Sequence, residues 1–215
     1  MNTLPLFAEP PPADEKLAEG AVLLRGFAAG QDEPLLAALR GILAAAPFRH
    51  LVTPGGLRMS VAMTNAGTQG WISDRRGYRY VAHDPDSGQA WPALPPALLH
   101  LATAAAARAG YEGFVPDACL INRYLAGTKL SLHQDRDERD LRSPIVSVSL
   151  GIPAVFQFGG LRRQDPPRRI PLQHGDVVVW GGASRLRFHG VLPLKPAVHP
   201  LLGGERINLS FRVAA

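Results

Sequence analysis

His133 and Asp135 stand two residues apart in the segment LHQD, His189 follows far downstream in FHG, and Arg206 and Arg212 bracket RINLSFR. Two imidazoles and one carboxylate can hold one face of an octahedral Fe(II), leaving three positions open for a bidentate co-substrate and dioxygen. Residues two apart on a strand point to the same side. His133 and Asp135 can therefore reach one metal from a single strand or its exit, with His189 arriving from another. An arginine beyond the third ligand adds a rigid fork that grips a carboxylate at two points, which an iron enzyme using 2-oxoglutarate requires. Arg206 and Arg212 share a strand face by parity, and the bland reading of Arg212, a salt bridge to Asp135, is compatible with orienting a ligand. Other readings of the same residue types stay open. Seven histidines make a hydrogen-bonded imidazole near a carboxylate unremarkable. A zinc hydrolase with an activated water also uses two histidines and a carboxylate, though it gives Arg206 no task.

The elements that must position these residues are mostly short strands. From Cys119 onward the chain reads ACLINRY, KLSLHQD, IVSVSL, AVFQF, RRIPL, DVVVW, RLRFHGV and RINLSFRV, separated by Gly, Pro and Asp turns. This predicts a mainly β, α+β fold with a double-stranded β-helix (jelly-roll) core over residues 118–213. Leu35, Leu36, Leu39, Ile42 and Leu43 fall at helical spacing with Asp32 as expected N-cap. A second helix is expected from Pro95 to Arg108, stopped by Gly110. Between them LRMSVAMTN alternates as a strand, and GTQGWISDRRGYRY reads as a hairpin-rich flap within a lid over residues 50–92. Residues 1–20, with Pro10, Pro11 and Pro12, are expected to be a loose lead-in to a single domain over 21–215.

With 215 residues, 46% apolar and 19% charged, the chain can bury a full core and carries no apolar run of membrane-spanning length. The N-terminal segment lacks a basic stretch followed by an apolar one, so no secretion signal is expected. The single Cys119 excludes an intrachain disulfide and suits a reducing compartment, so the cytoplasm is the expected location. A net charge of +5 and a pI near 9.9 invite a polyanionic partner. Arg75, Arg76 and Arg79 lie beside Trp71, Tyr78 and Tyr80, the mixture of cations and aromatic faces found in nucleic-acid grooves. The same pattern also describes a solvated loop.

From about Arg58 to Arg212, through MSVAMTN, GW, GYRY, WP, NRY, KLSLHQDRDE, FGGL, HGDVVVWGG, SRL, HG and R-x-NLSFR, the chain resembles the AlkB-type 2-oxoglutarate/Fe(II) dioxygenases, which repair alkylated nucleic acids. The resemblance implies His133, Asp135 and His189 as iron ligands. It implies Arg206 and Tyr124 on the distal carboxylate of 2-oxoglutarate, with Asn122, Asn208 and Arg212 around the co-substrate and the ligand carboxylate. It places Trp71 on one face of a flipped base with His133 on the other, Asp137 near the exocyclic amine, Met63 and Tyr78 in the recognition lid, and Arg163 beside the substrate. The implied reaction is oxidative demethylation of 1-methyladenine and 3-methylcytosine, with 2-oxoglutarate leaving as succinate and carbon dioxide and the alkyl carbon as formaldehyde. Alkylated single-stranded DNA is the expected partner and RNA a second one, with neither a membrane nor an obligate protein partner. Arg187 departs from the pattern, standing where an aromatic residue is expected. Two alternatives differ in class: a hydroxylase of a protein or small molecule on the same iron site, and a non-catalytic nucleic-acid-binding module.

Overall fold

The structure, a computed structural model, describes residues 13–215. Thirteen strands and two α-helices run in the order β1 (Glu15–Ala18), β2 (Ala21–Leu24), α1 (Asp32–Ala45), β3 (Ala62–Gly67), β4 (Gly70–Asp74), β5 (Gly77–Val81), α2 (Pro96–Arg108), β6 (Ala118–Tyr124), β7 (Leu130–His133), β8 (Ile145–Gly151), β9 (Ala154–Phe158), β10 (Arg168–Leu172), β11 (Val177–Trp180), β12 (His189–Val191) and β13 (Arg206–Arg212). A seven-stranded sheet of order β1-β2-β11-β8-β13-β6-β3 faces a four-stranded sheet of order β10-β9-β12-β7, and β4 and β5 form a separate hairpin. The pairings are antiparallel. This is a jelly roll with flanking helices, the architecture its short, evenly punctuated strands require.

Strand parity sorts the large sheet into two faces with different tasks. Cys119, Ile121, Val146, Val148, Val177, Val179, Ile207, Leu209 and Phe211 point outward and pack against Leu35, Leu39 and Ile42 of α1 and Leu98, Leu101 and Ala105 of α2. The alternate positions face the small sheet. There Leu120, Tyr124, Ile145, Val178 and Trp180 meet Phe156, Phe158, Ile170, Leu172 and Val191. Burial of both faces is why β8 and β13 are buried along their whole length. On β13, Arg206, Asn208, Ser210 and Arg212 share the inward face, opposite Tyr124, Asn122, Leu120 and Ala118 of β6. The helices therefore stabilise one side of β13 so that its other side can carry polar chemistry.

Several local expectations need correction. Gln31, not Asp32, is the N-cap of α1, and its side chain makes no capping bond. Asp32 opens the first turn, where a carboxylate suits the helix dipole, and meets Nε2 of His174 at 2.6 Å. Residues 15–18 of the expected lead-in form β1, because Leu17 and Ala18 pack into the inter-sheet core and Glu15 pairs with Arg25 and Arg168. Residues 1–12 of that lead-in lie outside the described residues. The expected strand RLRFHGV is extended only over His189–Val191. Its first half is a turn pinned by Arg187, whose Nε donates to Ser184 Oγ and whose Nη1 donates to the Gly159 carbonyl.

Candidate active site

His133 ends β7 and pairs directly with His189 on β12 across the small sheet. This close strand approach leaves no room for a side chain at position 190, where a Cβ on Gly190 would sit 2.7 Å from the Leu130 carbonyl. Asp135 lies past the strand end, so the loop rather than the pleat aims it. Two bonds tie that loop to the turn before β12: Gln134 Nε2 donates to the Leu186 carbonyl, and Arg185 Nη1 donates to the Asp135 carbonyl at 2.7 Å. One ligand atom from each of His133, Asp135 and His189 falls within a mutual distance of 4.8 Å, as one metal ion requires. His133 Nδ1 lies 2.9 Å from the Ser131 carbonyl and His189 Nδ1 lies 3.0 Å from the Arg187 carbonyl. Such bonds favour the proton on Nδ1 and turn both Nε2 atoms toward Asp135, at 3.5 and 3.7 Å. The Arg187 backbone thus serves the site, while its side chain lies over the Phe158 ring.

The charges suit a cation. Burial opposes ionisation of Asp135, but Arg212, His189 and His133 outweigh it and hold the carboxyl well below the usual range. Arg212 reaches Asp135 Oδ2 through Nη2 at 2.5 Å and Nε at 3.0 Å. Burial, reinforced by the neighbouring His133, pushes His189 down to about 4, so its imidazole is neutral at physiological pH and free to ligate.

Deeper in the barrel, Arg206 and Tyr124 are 2% and 1% exposed, with the guanidinium 5.0 Å above the phenol ring. Arg206 Nη2 donates to Ser149 Oγ, yet Nε and Nη1 have no partner. Unmade hydrogen bonds on a buried charged group cost more than about 1–3 kcal/mol, so this fork fits a carboxylate entering from the cleft. Asn122 Nδ2 donates to Asn208 Oδ1 and leaves its own Oδ1 unpartnered. The donor set and the orphaned fork both fit Fe(II) with a dicarboxylate co-substrate.

All these groups open onto one cleft of about 810 Å³, also lined by Met63, Trp71, Tyr78, Asp137 and Arg163. Trp71 and Tyr78 stack at 5.6 Å on the β4–β5 hairpin, and Trp71 Nε1 donates to Asp137 Oδ2 at 2.8 Å. Met63 is 3% exposed and belongs chiefly to the core, whereas Arg163 lies 5.8 Å over the Phe188 ring at the rim.

The sequence profile of the 2OG-Fe(II) oxygenase superfamily matches residues 20–212. The chain belongs to this superfamily. The oxygenase is 59% identical over 212 residues to the alpha-ketoglutarate-dependent dioxygenase AlkB of Salmonella typhimurium, covering 99% of this chain and 98% of that protein. A mouse nucleic acid dioxygenase, ALKBH1, is 35% identical over 136 residues, which is 63% of this chain and 33% of the mouse protein. The solved structure of OsALKBH1 superposes with a TM-score of 0.82 at 29% identity, covering 94% of this chain and all of that one. Fe(II) and 2-oxoglutarate are accordingly the cofactor and co-substrate of this oxygenase.

Sequence reasoning missed residues that line the cleft, Glu138 and Trp180, and one that supports it from behind, Asn65. Glu138 is buried and pairs with Arg185 at 3.0 Å and Arg212 at 3.3 Å. Asn65 clamps Trp71 by accepting from its backbone N–H and donating to its carbonyl, both at 3.0 Å. Trp180 packs edge-on to His189 at 5.0 Å. Glu138 lies in a run of charges, DRDERD, that reads as solvated surface, so nothing in its sequence context distinguishes it. For Tyr80, two residues from Tyr78 on a strand, parity was a usable signal.

Proposed function

We propose that this oxygenase oxidatively demethylates N-alkylated bases, of the 1-methyladenine and 3-methylcytosine type, in DNA and in RNA. The observation that carries the reading is Trp71, an aromatic face hydrogen-bonded to the carboxylate of Asp137, in the cleft that holds the His133–Asp135–His189 cluster. With Fe(II) bound, dioxygen would be the oxidant, one oxygen atom leaving in succinate as 2-oxoglutarate loses carbon dioxide and the other oxidising the N-methyl carbon, which leaves as formaldehyde. The protein's own residues perform placement. Arg206, beside Tyr124, takes the distal carboxylate of the co-substrate, and Asn122 and Asn208 bound the same pocket. Arg212 fixes the Asp135 carboxylate for the metal.

A base methylated at N1 of adenine or N3 of cytosine is cationic and poorly paired. Extrusion is then cheap, and cheapest from a single strand. Trp71 and the His133 ring offer stacking faces, and Asp137 accepts from the exocyclic amine that adenine and cytosine share. Tyr78 and Arg163 complete the rim, Arg163 as a cation for the flanking phosphate, and Met63 backs the cleft from the core. The reaction is assigned to the cytoplasm, where the lone buried Cys119 stays reduced.

The test incubates the protein with Fe(II), ascorbate, 2-oxoglutarate and a single-stranded oligonucleotide carrying 1-methyladenine, followed by mass spectrometry. Loss of one methylene mass with formaldehyde release, absent without 2-oxoglutarate and in His133→Ala, is expected. Succinate formation with an unchanged oligonucleotide would move the substrate to a protein or small molecule.

A further inference from the structure

We propose that Tyr80 and Glu138 are positioning residues for the demethylation, forming a latch that sets the substrate-stacking hairpin against the ion-pair network of the metal ligands; this rests on the function proposed above. Trp71 and Tyr80 are directly opposed across β4 and β5. Their side chains reach consecutive acids: Trp71 Nε1 donates to Asp137 at 2.8 Å and the Tyr80 hydroxyl donates to Glu138 Oε1 at 2.7 Å. The hairpin therefore docks as one cross-strand pair onto one dipeptide.

The two bonds differ in what stands behind them. Asp137 is exposed, whereas Glu138 is 7% exposed and held by Arg185 and Arg212. Arg212 simultaneously holds Asp135. The Tyr80 contact thus ties the height of the hairpin, and with it the Trp71 ring, to the counter-ion of a metal ligand. β5 needs such an anchor, because it pairs only with β4 and a two-stranded ribbon alone is marginal. At its end Trp91 Nε1 donates to the Val81 carbonyl, and Val81 packs against Ala46, Ile72 and Trp91.

Tyr80→Phe removes the hydroxyl and leaves the ring packing in place. The test compares it with the parent chain, both loaded with Mn(II) and 2-oxoglutarate, by amide hydrogen exchange over residues 70–81. Exchange in β8 and β13 serves as the internal reference. Exchange of the hairpin is expected to quicken roughly tenfold, the loss of about 1.4 kcal/mol of local protection, with the reference strands unmoved. With Fe(II) and the methylated oligonucleotide, the KM for oligonucleotide is expected to rise roughly fivefold while kcat changes less than about twofold, the pattern of lost binding and not lost chemistry. Unchanged hairpin exchange, or equal acceleration in β8 and β13, would overturn the latch, as would a fall in kcat at constant KM. If the parent chain fails to demethylate the oligonucleotide, the proposed substrate is wrong, and the exchange arm still decides the latch.

Discussion

Arg206 is the residue whose surroundings most restrict what the cleft can hold. It is buried and charged, with two nitrogens left without a partner beside one bond to Ser149. A lysine there keeps the charge but replaces a planar fork with a point donor. Arg206→Lys is expected to raise the KM for 2-oxoglutarate about tenfold or more, since a hydrogen bond to a charged group is worth about 1.5–3 kcal/mol. Titrating 2-oxoglutarate against succinate formation checks this, and an unchanged KM would mean the fork binds something else. Arg206 and the cluster of His133, Asp135 and His189 could be singled out in the sequence by residue type, spacing and resemblance, and the structure brings the three ligand atoms of the cluster together. Glu138 could not be singled out, since a carboxylate becomes a buried anchor only when Arg185 and Arg212 converge on it from distant segments.

Among the elements, the proposed function gives substrate handling to the β4–β5 hairpin and co-substrate handling to β13. Gly70, the first residue of β4, lies against the Trp91 indole, where an added Cβ would come within 2.3 Å of ring atoms. Gly70→Ala is expected to displace the hairpin at its root, raising the KM for oligonucleotide severalfold and leaving the KM for 2-oxoglutarate within about twofold, because additivity holds for separated sites. Equal effects on both would show that the hairpin and the co-substrate pocket move together. On β13 the division is by parity. Leu209→Ala, on the fully buried face toward the helices, is expected to cost about 2–5 kcal/mol of stability in denaturant melts. Alternation made both faces of β13 readable from RINLSFR. The shortness of β12 was not readable, because RLRFHGV has strand composition throughout and only the packing of Arg187 on Ser184 and Gly159 turns its first half out of the sheet.

At the scale of the whole molecule, a net charge of +5 meets a cleft whose rim carries Arg163 and Lys129. Affinity for a single-stranded oligonucleotide is expected to fall as salt rises, with a log–log slope of about −0.7 per neutralised phosphate. Fluorescence anisotropy between low and physiological salt measures it. A flat dependence would favour an uncharged small substrate. Among the described residues no helix is long and apolar enough to cross a membrane, and α1 and α2 pack their apolar faces against the large sheet.

The sequence by itself determined which residue types could ligate a metal, their two-residue and cross-chain spacing, and the eight strand segments from Cys119 onward. Those follow from metal chemistry and from the period-2 alternation of strands, which are local. Tertiary structure alone decided that His133 and His189 pair across one sheet, that β1 joins the seven-stranded sheet, and that Tyr80, Glu138, Arg185 and Arg212 form one network around Asp135. The histidine pair and the network depend on contacts between residues tens of positions apart, and β1 reaches the sheet through β2, which pairs with the distant β11. Their free energy comes from excluding water around groups that, read along the chain, look like ordinary polar surface.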